Sequence, residues 1–176
     1  MNKWFFSLIG ITSLFVIIFI NLDNNSETYT RTNTDLDNVS NEEMEIVIAD
    51  NPDIFPMRIA LANRYFDEVN YSMALPHFMY VAENSSDVEL KSYSLAQIAW
   101  MVYESGNTEV ATKYLNESIS INPESIISNT YLGILYLQEP STKSEGFEII
   151  SKLLLSENLS EDDRNLLEEI ISNYEN

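Results

Sequence analysis

Few side chains in this sequence are of a type and spacing that could do chemistry. The 176 residues hold one histidine, His77, and no cysteine. A lone imidazole without thiolate neighbours lacks the ligand set from which protein metal sites are assembled, so His77 reads as a packing or surface residue and no metal site is expected. One histidine gives little from which to assemble a Ser or Thr nucleophile with its base, and the chain has neither a glycine-rich phosphate loop nor a nucleophile elbow. Glu42 with Glu43 and Glu168 with Glu169 are adjacent pairs. Neighbours in sequence point to different faces of a helix, so these carboxylates read as solvated surface, not as an acid and base sharing one atom. An enzyme is therefore not expected, and no cofactor is expected. The sequons Asn84 to Ser86 and Asn116 to Ser118 are of the kind that arises by chance in a chain rich in Asn and Ser. The lack of cysteine also rules out a disulfide framework and leaves the redox compartment open.

What remains is surface, and surface is set by the elements that carry it. A hydrophobic content of 45% suffices for one packed domain plus an anchor, and four glycines with five prolines favour unbroken helices over tight-turned sheets. The fold class expected is all-α. The formal charge of −19, from 28 acidic and 9 basic residues, repels phosphate backbones, so nucleic acid is not an expected partner.

From Trp4 to Ile20 the chain carries no charge and is dominated by Phe, Leu, Ile and Val. At about 1.5 Å of rise per residue this stretch reaches the length needed to cross a bilayer core, with Asn21 and Leu22 at its exit. A cleaved signal peptide is the rival reading, but the exit Ile18, Phe19, Ile20, Asn21, Leu22 offers no small-x-small site, so residues 1–22 are expected to stay as an anchor. Lys3 precedes this segment, and eight carboxylates against the single Arg31 follow it before residue 51. The positive-inside tendency then predicts a single-pass protein of the inner or cytoplasmic membrane, N-terminus in the cytoplasm and the remainder exported to the periplasm or outer face. Residues 23–40, rich in Asn, Asp, Ser and Thr without an apolar period, are expected to be a solvated acidic linker. A helix is expected from Asn41, as its cap, to Asp50, where Asn51 before Pro52 ends it.

Internal repetition dominates residues 41–176. Leu61, Ala62 and Tyr65 recur as Ile98, Ala99 and Val102 and again as Leu132, Gly133 and Tyr136. A second set, Ala74, Phe78 and Val81, recurs as Ala111, Leu115 and Ser118 and as Gly146, Ile150 and Leu153. Small residues let two helices approach closely while large residues a turn away fill the neighbouring groove. These residues resemble the tetratricopeptide repeat, whose period of about 34 residues carries L-G-x-x-Y in its first helix, A-x-x-x-F in its second and a closing proline, here Pro52 and Pro123. The resemblance implies three antiparallel helical hairpins over about 55–88, 92–125 and 126–159, closed by a capping helix at 160–174 that starts after Ser160. Departures are visible too: Arg58, Leu95 and Asn129 hold the slot of the family's early tryptophan, and Ser85, Ser86 and Asp87 stand where a proline would close the first repeat.

In that family the first helix of each hairpin lines a concave groove. Carried onto this chain, the resemblance puts Asn63, Phe66, Asp67, Tyr93, Trp100, Tyr103, Glu104, Ile134 and Gln138 in a peptide-binding groove. Trp100 and Tyr103 have two readings, as exposed anchors of the kind that dominate binding hot spots or as packing between hairpins. The groove residues include no lysine or arginine, so the implied partner is a basic or apolar extended protein segment. An anchored, exported set of such repeats is similar to the periplasmic repeat part of cytochrome c maturation proteins. The function expected is a membrane-tethered scaffold that binds peptide segments of exported proteins, chaperone-like. Two alternatives stay open: an envelope assembly scaffold holding folded partners through another face, and a secreted enzyme, which would require a cleaved N-terminal segment.

Overall fold

A computed structural model describes residues 36–157 and 159–175. The expected anchor over 1–22 and all but the last residues of the expected linker lie outside them. Among the described residues all regular structure is helical, in agreement with the all-α expectation, and no helix is long and apolar enough to cross a membrane. After a 3-10 turn at Leu36–Asn38 come α1 (Asn41–Asp50), α2 (Phe55–Asp67), α3 (Tyr71–Asn84), α4 (Val88–Glu104), α5 (Thr108–Ile121), α6 (Ile126–Gln138), α7 (Lys143–Leu154) and α8 (Glu161–Glu175).

Local chemistry explains most of these boundaries. The cap of α1 is Ser40, one residue before the Asn41 expected from the sequence. Its hydroxyl accepts from the Glu43 amide at 3.2 Å while the Glu43 carboxylate accepts from the Ser40 amide at 2.8 Å, so two donors left over at the helix start are satisfied reciprocally. Asp87 does the same service for α4, accepting from the Glu89 and Leu90 amides at 2.9 and 3.0 Å, which is how this chain starts a helix where a proline was missing. Asn107 and Ser125 cap α5 and α6. The end of the expected linker is fastened: Arg64 of α2 donates to the carbonyls of Leu36 at 2.5 Å and Val39 at 2.6 Å and to Asn41 Oδ1 at 3.0 Å.

The chain divides between Ile149 and Ile150 into two compact units. In the first, α2 and α3 pair antiparallel. Phe66 meets Tyr71 beside their turn at 5.4 Å between ring centres, Tyr65 stacks on His77 further along, and Phe55 reaches Tyr80 at the open end. Helices α4 and α5 pair next, and α4 also touches α2, α3 and α6. Ala62, Ala74, Ala99 and Ala111 are fully buried at the positions where small residues were expected. At Gly146 a Cβ would lie 2.7 Å from the Leu137 amide nitrogen and 2.9 Å from the Gly133 carbonyl oxygen, so backbones touch there and only glycine fits. Ser118 replaces an apolar residue of the repeat pattern. It is fully buried because its hydroxyl donates to the Ser92 carbonyl at 2.7 Å and joins the hydroxyls of Ser92 and Ser128, leaving no polar atom bare. The second unit, within the described residues from 150 onward, centres on α8. Ser160 accepts from the Asp163 amide at 3.0 Å, Arg164 reaches the Leu154 carbonyl at 2.6 Å, and Leu159, Leu166, Leu167 and Ile170 are buried.

The turns of the first two hairpins have one backbone shape and different residues in it. Asn70 bonds back to the Tyr65 carbonyl and Asn107 to that of Val102, with Val69 at φ 57° and Gly106 at φ 89° in the left-handed position between. That region costs a residue with a Cβ about 1–2 kcal/mol, and a β-branched side chain is the least suited to it. Val69 is also exposed. Val69→Gly is expected to stabilise the fold by roughly 0.5–1 kcal/mol, the relief of strain less the extra unfolded-state entropy of glycine. Gly106→Val, whose Cβ would meet nothing within 4 Å, should destabilise by about 1 kcal/mol from backbone strain alone. Urea unfolding of both variants beside the native chain measures the two opposite signs.

Candidate functional site

The nine groove residues expected from the sequence fall on three helices: Asn63, Phe66 and Asp67 on α2, Tyr93, Trp100, Tyr103 and Glu104 on α4, and Ile134 and Gln138 on α6. Two tyrosine hydroxyls tie these helices together by side-chain hydrogen bonds. The Tyr93 hydroxyl donates to Asn63 Oδ1 at 2.9 Å, tying α4 to α2, and the Tyr103 hydroxyl donates to Gln138 Oε1, tying α4 to α6. Each tyrosine supplies an apolar ring to pack and a polar tip to anchor, which is why tyrosine suits a position half in the core.

The nine do not share one environment. Phe66, Trp100 and Ile134 are core, at 4%, 2% and 3% exposure. Of the two readings of the aromatic pair, packing holds for Trp100: its ring lies 4.8 Å from that of Tyr131 and 5.1 Å from that of Tyr103, both tilted. Asn63, Tyr93 and Tyr103 are half-buried, and Asp67, Glu104 and Gln138 are exposed. The accessible part is thus a rim of polar and acidic groups over an aromatic floor.

Tyr71 and Tyr131 belong to this cluster and were not among the residues expected. Tyr131 is fully buried, and burial, reinforced by Tyr93, Tyr71 and Asp67, pushes its hydroxyl well above the ordinary value. Its place in the apolar spacing Ile127, Tyr131, Ile134 was the available signal. Tyr71 opens α3, the second helix of its hairpin, so a search limited to first helices passes over it. Burial and then the charge of Glu104 push its hydroxyl up to about 12.

Glu104 is the odd member of the rim. Its surface is exposed, yet enough protein packs round the carboxyl for desolvation to raise its pKa, against a hydrogen bond from Trp100 that lowers it. The last turns of α4 and α6 contain no basic residue, and Arg64 in the last turn of α2 is committed to the Leu36–Asn41 backbone and side chain. Antiparallel pairing sets the starts of α3 and α5 beside the ends of α2 and α4, so the helix dipoles largely offset and side-chain charge decides the local field. That field is negative, from Asp67, Glu68, Glu104 and Glu139.

His77 sits away from this rim, 7% exposed, with both ring nitrogens engaged: Nε2 with Glu45 at 3.2 Å and Nδ1 with Arg58 at 3.4 Å. Among the described residues no group of three or more His, Asp or Glu side chains is gathered in a metal-binding arrangement. Compared with known proteins, the chain matches no family model, no curated protein and no solved structure.

Burial that raises Glu104 makes the folded chain keep this proton to higher pH than the unfolded chain does. Its carboxylate therefore weakens the fold at neutral pH; the penalty is absent below the ordinary carboxylate range and develops as pH rises through the raised folded value. Glu104→Gln, which retains an acceptor for the Trp100 indole, should stabilise the chain near pH 7 and make no difference near pH 3. Thermal unfolding at the two pH values checks this.

Proposed function

We propose that the chain is a membrane-tethered scaffold of tetratricopeptide-type hairpins that holds an extended segment of an exported polypeptide against the rim formed by α2, α4 and α6. The observation that carries this reading is the composition of the rim: exposed Asp67, Glu104 and Gln138 beside half-buried Asn63, Tyr93 and Tyr103, with no basic residue in the last turns of α4 and α6. The chemistry of the rim supports a partner with lysine or arginine among apolar residues. Carboxylates supply steering and orientation, while tyrosine edges supply contact area at low entropic cost.

The tether rests on the uncharged stretch from Trp4 to Ile20, and the exported orientation on the charge flanking it. The chaperone-like role in cytochrome c maturation is a narrower form of the same reading and rests on the sequence resemblance over Ser92 to Ser156. In that form the bound segment belongs to an apocytochrome before haem attachment.

A photoreactive side chain placed at Tyr103 of the full-length protein in native membranes, beside one placed at the exposed Glu117 of α5, tests the proposal. Exported polypeptides should crosslink at position 103 and not above background at 117. Glu104→Lys should lower the yield at 103 roughly two- to fivefold, the scale of about 0.5–1 kcal/mol for an exposed ion pair. Equal yields at both positions would instead favour an assembly scaffold working through another face. Haem-free c-type cytochromes among the products at 103 would support the narrower form.

A further inference from the structure

His77 joins three consecutive helices through one ring. Its Nε2 lies 3.2 Å from Glu45 Oε1 of α1, and its Nδ1 lies 3.4 Å from Arg58 Nη1 of α2. A guanidinium has only donors, so Nδ1 must be the acceptor in that contact and the ring proton must sit on Nε2, where Glu45 receives it. The same Glu45 oxygen accepts from the Tyr65 hydroxyl at 3.2 Å. Arg58 reaches further: its Nε donates to the Pro52 carbonyl at 3.0 Å, and its guanidinium lies 4.0 Å from the ring centre of Tyr80, whose hydroxyl donates to Asp53 at 2.9 Å. Pro52 and Asp53 lie in the connection between α1 and α2. A neutral imidazole therefore stands at one end of a relay that braces that connection.

We propose that His77 is a pH-sensitive clasp: protonation of its Nδ1 displaces Arg58 and releases the brace on the α1–α2 connection, while Glu45 keeps α1 held to the ring. The reason is donor and charge conflict. Once Nδ1 carries a proton, two donors and two positive charges face each other across the 3.4 Å contact, and because Glu45 holds the ring the displacement falls on Arg58. Glu45 attracts the imidazolium more strongly than the neutral ring, so the α1 side tightens as the Arg58 side opens.

The groups facing His77 are Glu45 from α1 and Arg58 and Tyr65 from α2; Asp53 and Tyr80 act through Arg58, and Glu42 and Glu68 through Tyr65. Helix α4 also packs on α3 but contributes none of the groups that shift the ring. Burial first, and Arg58 after it, oppose the charged ring; Glu45 favours it, and the balance leaves the pKa below the ordinary 6.5. The sign follows. The clasp's contribution to stability is complete above the ordinary value and is lost as pH falls from there through the lowered folded value.

Nuclear magnetic resonance of the full chain in detergent micelles tests this, reading the His77 ring nitrogens and the exchange protection of the Ile54 and Arg58 amides, which close the connection and open α2. Near pH 7.5 the ring should be the Nε2–H tautomer. As pH falls through the His77 titration, protection at these amides, corrected for intrinsic exchange, should drop about tenfold for each unit by which the folded site lowers the pKa. The Leu115 amide of α5 should not change, and His77→Gln should abolish the response. An Nδ1–H tautomer near neutral pH overturns the proposal, and that reading needs no variant. So does protection that stays constant while His77 titrates, or an equal response in His77→Gln.

Discussion

The packing around α4 is the constraint on which the first unit depends. This helix touches α2, α3, α5 and α6, and ten of its seventeen residues are buried. A helix enclosed on so many sides needs narrow flanks, and Ala96 and Ala99, both fully buried, supply them. Close approach then brings long side chains on neighbouring helices within reach of one another. Tyr93 can touch Asn63 of α2 and Tyr103 can touch Gln138 of α6 because the backbones between them are near. The rim is thus a consequence of the packing, as is the aromatic floor where Trp100 meets Tyr103 and Tyr131.

Two features near the ends of α2 and α4 work against stability. Val69 occupies a left-handed position that its counterpart Gly106 fills without strain, and Glu104 keeps its carboxyl where burial disfavours the charge. The left-handed valine costs about 1–2 kcal/mol, and a small domain has only about 5–15 kcal/mol in total. Losses of that size are tolerable singly. Both unfavourable groups, one apolar and one acidic, are exposed.

The α1 end of the same unit is governed by a different balance. There the polar groups are paired in series, Glu45 with His77 and Tyr65, His77 with Arg58, and Arg58 with the Pro52 carbonyl, with one imidazole in the middle of the series. The rim and the clasp involve separate side chains.

Much of the helical plan was legible in the sequence. The stop at Asp50 follows from Asn51 and Pro52, the start of α8 from Ser160, and the burial of Ala62, Ala74, Ala99 and Ala111 from their recurrence, because backbone geometry and helix periodicity act over a few residues and need no partner to be known. The site was legible only in outline. Residue spacing put Trp100 and Tyr103 one turn apart, but only the packing of α6 against α4 decided that Trp100 is floor and Tyr103 is rim, since exposure depends on which residues of distant segments arrive on top. His77 shows the limit most clearly. Sequence alone determined that it was the single histidine of a chain without cysteine; the tertiary structure decided that both its nitrogens are occupied, by Glu45 thirty-two residues away and Arg58 nineteen residues away, because hydrogen bonding is a matter of distance in space and not along the chain.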